Sequence, residues 1–303
     1  MRARPPLVDP HVHLWDLAHI RYPWLAPPFD ADNPNGSVEP IAVDYPLDAY
    51  LADAAGWDVR GIVHIDAGAH ADDALRETEW LQAMADARGL PTGIVAFAAL
   101  DDPDLEWLLA RHVEHRSVRG IRHIVNWHPD PARSYSPADV TTSDAWARGF
   151  GLLARHGLSF DLQAYPGQFA HLAELIAKHP DTQVIIDHSG MAIPGDADGW
   201  GVWRRGMAKL AALPHVAVKI SGMGFTWRPW DAEQARPYVL ETIELFGTDR
   251  AMFASNFPTD KLFGSFDKHL GAYDAITADF SDSERAALFA GNANRIYRLG
   301  LVL

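Results

Sequence analysis

The chain has 303 residues, no cysteine, 48% hydrophobic and 22% charged residues, and a formal net charge of −14 with a pI near 5.4. These values exclude disulfides, thiolate metal sites and cysteine nucleophiles, leave any metal to histidine and carboxylate, and argue against nucleic acid or anionic lipid as partners, since both would be repelled. With no linker composition, no apolar leader behind the basic start and no membrane-length apolar run, the chain is expected to be one cytoplasmic domain, residues 1–303, acting on a small molecule, its oligomeric state left open.

The first apolar run, residues 7–14, contains Asp9-Pro10-His11-Val12-His13. In a strand, side chains at i and i+2 share a face, so His11 and His13 can aim at one point, as metal ligation or polarisation of one substrate atom requires. The loop over 16–44 follows, with Tyr22-Pro23-Trp24-Leu25-Ala26-Pro27-Pro28-Phe29, too rigid and aromatic for a linker; it reads as a lid. A helix is expected over 47–56. Beyond it, strands are predicted over 60–67, 93–100, 120–126, 159–165, 183–188, 216–221 and 251–256. Helices are predicted over 72–88, 104–115, 144–156, 168–178, 200–213, 232–246 and 284–299. Asp102-Pro103 marks a helix start, and Gly89, Gly157 and Gly247 mark stops. Eight alternations of strand and helix imply parallel strands with crossover helices, and hence an α/β fold: a single (β/α)8 TIM-type barrel with long loops at its C-terminal face.

In such barrels chemistry sits at the C-terminal strand ends. These ends carry His11 and His13; His64 and Asp66; Arg122, His123 and Asn126; Asp161 and Gln163; Asp187 and His188; Lys219 and Ser221; and Ser255 and Asn256. Burying so many polar groups without a shared purpose would be costly, so convergence on one site is expected. The loops over 127–143, 191–199 and 224–231 also follow strands. Phe225, Trp227 and Trp230 either wall a pocket for a ring-shaped ligand or pack beneath those loops.

Six segments in order carry a family resemblance: Asp9-Pro10-His11-Val12-His13-Leu14-Trp15-Asp16, Gly120-Ile121-Arg122-His123, Ile185-Ile186-Asp187-His188-Ser189-Gly190, Val218-Lys219-Ile220-Ser221-Gly222, Met252-Phe253-Ala254-Ser255-Asn256-Phe257-Pro258 and Gly291-Asn292-Ala293-Asn294-Arg295-Ile296-Tyr297. Together they resemble the amidohydrolase superfamily, in particular its lactonase-like group, which includes fuconolactonase and the pyrone-dicarboxylate lactonases. The resemblance implies that His11, His13 and His188 form the metal or substrate-polarising cluster and that the end of strand eight supplies a catalytic carboxylate. This chain departs there. Asn256 stands where relatives carry aspartate, and an amide neither accepts a proton at neutral pH nor brings charge to a metal. Asp260, four residues on, either reaches back as the base or caps a turn.

The expected activity is lactone hydrolysis by water attack at the carbonyl. Zinc on His11, His13 and His188 would polarise the carbonyl, or those histidines with Lys219 would act directly; because pyrone-dicarboxylate lactonases work without an essential divalent metal, zinc stays open. For the base, Asp260, His188 and Asp66 are candidates in that order. Arg122 and Lys219 are expected to grip a substrate carboxylate or hydroxyls, or else to bridge to Asp161 or Asp187, and His64 and His123 are further substrate-binding candidates. The alternatives are an aromatic-acid decarboxylase of the same superfamily and a binding barrel that has lost its base.

Overall fold

The computed structural model describes residues 3–29 and 36–303. Residues 30–35 of the expected lid and the first two residues of the basic start lie outside the described residues. The strands are β1 (Leu7–Val12), β2 (Val59–Ile65), β3 (Gly93–Phe97), β4 (Val118–Ile124), β5 (Ser159–Gln163), β6 (Val184–Ile186), β7 (Val216–Ile220) and β8 (Ala251–Phe253). All eight pair in sequence order, and every pair is parallel.

The ring closes just past the end of β8. Asn256 N–H donates to His11 O at 2.9 Å and His13 N–H to Phe257 O at 2.8 Å. Closure therefore runs through the backbone of the residues that form the site. Strand pleating sorts side chains into two cores. Val8, Val63, Ile65, Val95, Ile185, Ala217 and Met252 fill the barrel, whereas Leu7, Ile62, Ile94, Ile121 and Phe160 face the surrounding helices.

Seven barrel helices follow the expected order, with Gly89 and Gly157 ending theirs in the left-handed region at φ 75° and 65°. Two expectations are corrected. Asp102 and Pro103 precede the helix rather than open it, since Leu105–His112 begins behind Asp104. The eighth barrel helix is Phe266–Ile276, unforeseen although Phe266, Leu270, Tyr273 and Ile276 recur at helical spacing on its buried face. The C-terminal segment has a different job. Asp282–Ala286, a π-helical turn and Asn292–Ile296 run beneath the barrel, where Ala290, Ala293, Ile296 and Tyr297 join the interior core. They plug the end opposite the long loops.

Candidate active site

Asp9 ties β1 to the end of β8. Its carboxylate accepts from Ser255 N–H at 3.0 Å, His11 N–H at 3.3 Å and Tyr50 O–H at 2.9 Å. On this brace, His11 and His13 point the same way, their Nε2 atoms 3.2 Å apart. His13 Nδ1 donates to Ile65 O at 2.8 Å, and a carbonyl accepts only, so the neutral ring presents an unprotonated Nε2 to the site. Asn256 Oδ1 stands 3.1 Å from that nitrogen. The Asn256 backbone is left-handed at φ 56°, which asparagine tolerates better than most residues.

His188 enters from a tight turn after β6, where His188 and Ser189 adopt φ of 53° and 51°. Such conformations cost energy and persist where the surroundings hold them. Here Trp203 Nε1 and Tyr238 O–H both donate to Ser189 O, at 2.7 and 2.8 Å. Gly222 makes room for the turn, since a Cβ there would meet His188 at 3.0 Å. The His188 ring lies against His11 with centroids 4.7 Å apart, and its Nδ1 pairs with Ser221 Oγ at 2.9 Å.

Beneath the histidines lies a buried charge cluster. Lys219 Nζ bonds Asp161 Oδ2 at 2.6 Å and His11 Nδ1 at 3.0 Å, and it makes ionic contact with Asp187 Oδ1 at 2.8 Å. Tyr297, from the C-terminal plug, donates to Asp161 Oδ2 at 2.7 Å. Burial, then Lys219, pushes His11 well below the usual histidine range. Burial, then Arg122, does the same to His13. Burial takes His188 down to about 3. All three rings are neutral at pH 7, as metal ligation or proton acceptance needs. Burial alone would raise Asp187, but Lys219 and His11 hold it well below the carboxylate range.

Above this floor opens a cavity of about 250 Å³, lined by His13, His188, Asn256, Arg122, Gln163, Tyr135, Trp24, Phe225, Ile124, Thr259, Ala67 and Gly68. Arg122 is held at its wall by Asp66 at 3.0 Å and Gln163 at 3.1 Å, with Asp187 at 3.8 Å. Trp24 of the expected lid reaches the cavity and anchors its Nε1 on Ala67 O at 2.8 Å.

The structure brings His11, His13, His188, Asn256 and Arg122 together, as expected. It does not bring His64 or His123. Both sit on outward positions of the pleat: His64 Nδ1 accepts from Leu14 N–H at 3.1 Å and faces Glu77, and His123 Nδ1 accepts from Leu100 N–H at 3.2 Å beside Trp146. Lys219 is fully buried, bridges the two aspartates, the second of its two expected uses, and does not line the cavity. Asp260 stands behind Asn256. It accepts from Asn256 Nδ2 and Gly222 N–H, both at 3.0 Å, faces His269, and does not reach the cavity. Asp66 is engaged by Arg122 and Gly68 N–H. Phe225 does wall the cavity, while Trp227 packs on Trp200 and Tyr238, and Trp230 on His269. Tyr135 reaches the cavity from a loop, and nothing in a loop's sequence reports where it folds back; Gln163, a strand-end residue, lines the cavity and holds Arg122.

His11, Asp187 and His188 each offer a ligand atom within 4.8 Å of the others, which fits a metal site. Asp187 is already matched by Lys219 at 2.8 Å and Arg122 at 3.8 Å, so the unprotonated histidine nitrogens are the donors that call for a cation. The 3.2 Å between His11 Nε2 and His13 Nε2 is also close to the roughly 3.3 Å edge that zinc–nitrogen bonds of about 2.0–2.1 Å give in a tetrahedron. Neutral imidazole nitrogens beside oxygen donors, with no thiolate in the chain, are a donor set that zinc takes.

A parallel eight-stranded barrel with a histidine and carboxylate cluster at its C-terminal mouth is the architecture of TIM-barrel enzymes. The family model described as amidohydrolase matches residues 8–299, and the chain belongs to that family of hydrolases. A Sinorhizobium fredii protein called "Uncharacterized protein y4mH" is 45% identical over 97% of this chain and 98% of its own. An L-fucono-1,5-lactonase of Burkholderia multivorans is 26% identical over 96% of each chain. The crystal structure of a Burkholderia multivorans amidohydrolase with bound zinc matches at a TM-score of 0.79 and 25% identity, covering 97% of this chain and 99% of the other. No helix among the described residues is long and apolar enough to cross a membrane.

Proposed function

We propose that this protein is a lactonase that opens a sugar-acid or carboxylated lactone by attack of water on the ring carbonyl. The observation that carries the reading is a ring-sized cavity with His13, His188 and Asn256 at its floor and Arg122 and Gln163 at its wall. The relatives named L-fucono-1,5-lactonase support it. His11 and His13 would hold zinc, with Asn256 Oδ1 as a neutral oxygen ligand beside them. When bound, the metal would polarise the carbonyl and acidify water. Arg122, fixed by Asp66 and Gln163, orients a substrate carboxylate or hydroxyl.

The proton of the attacking water needs an acceptor, and at the end of β8 there is only an amide. His188 faces the cavity, and in the tautomer whose Nδ1–H donates to Ser221 Oγ its Nε2 is free to take the proton. Asp260 positions Asn256 from behind.

A hydrolysis screen of L-fucono-1,5-lactone, other sugar-acid lactones and pyrone carboxylates on metal-analysed protein tests the activity. Turnover of at least one lactone is expected, and its absence, with carbon dioxide released from hydroxybenzoates instead, replaces the reading with a decarboxylase. His188→Ala should keep its zinc while kcat falls by roughly 100-fold or more; loss of zinc would make this ring a ligand instead.

A further inference from the structure

His11 Nδ1 has two neighbours that ask opposite things of it. Lys219 Nζ, at 3.0 Å, can only donate, whereas Asp187 Oδ1, at 3.5 Å, can only accept. A neutral imidazole carries one ring proton, so each neighbour selects a different tautomer. If Lys219 donates to Nδ1, the proton sits on Nε2 and points at His13 Nε2, which has its lone pair free because His13 Nδ1 donates to Ile65 O. The two histidines then bond each other, and His11 has no lone pair to give. If instead Nδ1–H donates to Asp187 Oδ1, an oxygen that also takes Lys219 at 2.8 Å and has room for a second donor, two Nε2 lone pairs face each other at 3.2 Å and need a cation between them.

We propose that Lys219 and Asp187 compete for His11 Nδ1 and so decide whether His11 Nε2 meets His13 as a proton donor or offers its lone pair to a divalent cation. Lys219 is a positioning residue in this scheme, working against metal loading, and Asp187 works for it. The lysine is held in place from the far end of the barrel, since Asp161 Oδ2 accepts from both Lys219 Nζ and Tyr297 O–H. Lys219 Nζ stands nearer to His11 Nδ1 than Asp187 Oδ1 does, so where no cation intervenes the Nε2–H form of His11 is favoured. The inference rests on the reading that His11 and His13 are the ligand pair.

The test uses full-length protein stripped of metal, with two readouts that need no substrate: the zinc dissociation constant by chelator competition, and the His11 tautomer by NMR of 15N-histidine-labelled protein, assigned with His11→Gln. Lys219→Met removes the donor but leaves two buried aspartates unpaired, so Lys219→Met with Asp161→Asn, which keeps the net charge, is the second variant. Both variants are expected to shift His11 to its Nδ1–H form and to tighten zinc at least tenfold. Asp187→Asn should keep the Nε2–H form and weaken zinc. A folded double variant with unchanged or weaker zinc binding overturns the proposal, as does an Nδ1–H form of His11 in the metal-free wild type. If no variant binds zinc yet the tautomer still inverts, zinc leaves the functional reading and the selector stands.

Discussion

At the scale of single residues, Asn256 and Asp260 show how an amide at the end of β8 reshapes the site. The carboxylate that chemistry asks for is present in the chain but one layer deeper, behind Asn256 and sealed from the cavity. Burial, only partly offset by hydrogen bonds from Asn256 and Gly222, pushes Asp260 up to about 7. An aspartate raised above its unfolded value is bound to its proton more tightly in the native state. Stability is therefore highest below about pH 4 for this group and falls as pH rises to about 7, by something on the order of 4 kcal/mol. Asp260→Asn cannot ionise, so its stability relative to wild type should improve between pH 5 and pH 8. Urea unfolding at the two pH values checks this, and a pH-independent difference would mean that Asp260 is not held protonated. His11 and His13 were legible because i and i+2 residues of any strand share a face. The same rule, applied to Arg122 and His123, separates the cavity residue from the outward one, since adjacent strand residues cannot both face the barrel.

At the scale of elements, two segments act at a distance from the chemistry. Tyr297 reaches from the C-terminal plug to Asp161 and so touches the charge cluster under the histidines. Tyr297→Phe keeps the packed ring and removes one hydrogen bond to a buried carboxylate, a loss of roughly 1.5–3 kcal/mol. Tyr297→Ala also opens a cavity and should cost roughly 3–5 kcal/mol. Equilibrium denaturation of both variants separates the bond from the packing. The second segment is the aromatic loop after β1. Gly68, at φ 74°, lies under Trp24, and a Cβ there would stand 2.8 Å from the indole nitrogen. Gly68→Ala should displace Trp24 from the cavity wall and raise KM by roughly tenfold, about 1.4 kcal/mol of binding, with a smaller change in kcat. Unaltered steady-state constants would show that Trp24 does not shape the substrate site.

At the scale of the whole molecule, the donor cluster joins parts of the barrel that are far apart in sequence. His11 lies on β1 with His13 just past its end, and Asn256 follows β8, where the ring closes. A cation held between them would staple the closure and would bind only the folded state. At a hundredfold excess over Kd such a ligand adds about 2.7 kcal/mol, so zinc should raise the Tm of the metal-free protein by a few degrees. His11→Ala should lose that rise. Differential scanning calorimetry with and without zinc reads it directly, and an equal shift in the variant would place the metal elsewhere.

The sequence by itself determined the alternation of strand and helix, the direction of the strands, and the faces on which pairs such as His11 and His13 must lie, because periodicity is a property of local backbone geometry. It also carries the helical spacing of Phe266, Leu270, Tyr273 and Ile276. Depth is settled by packing across the barrel. Lys219 and Arg122 both face inward near strand ends, yet one is sunk in the barrel between Asp161 and Asp187 while the other lines the cavity. Depth depends on the stagger of neighbouring strands around a closed ring and on a C-terminal segment that plugs its floor, and both are set by contacts between residues 58 and 136 positions apart, which no local pattern encodes.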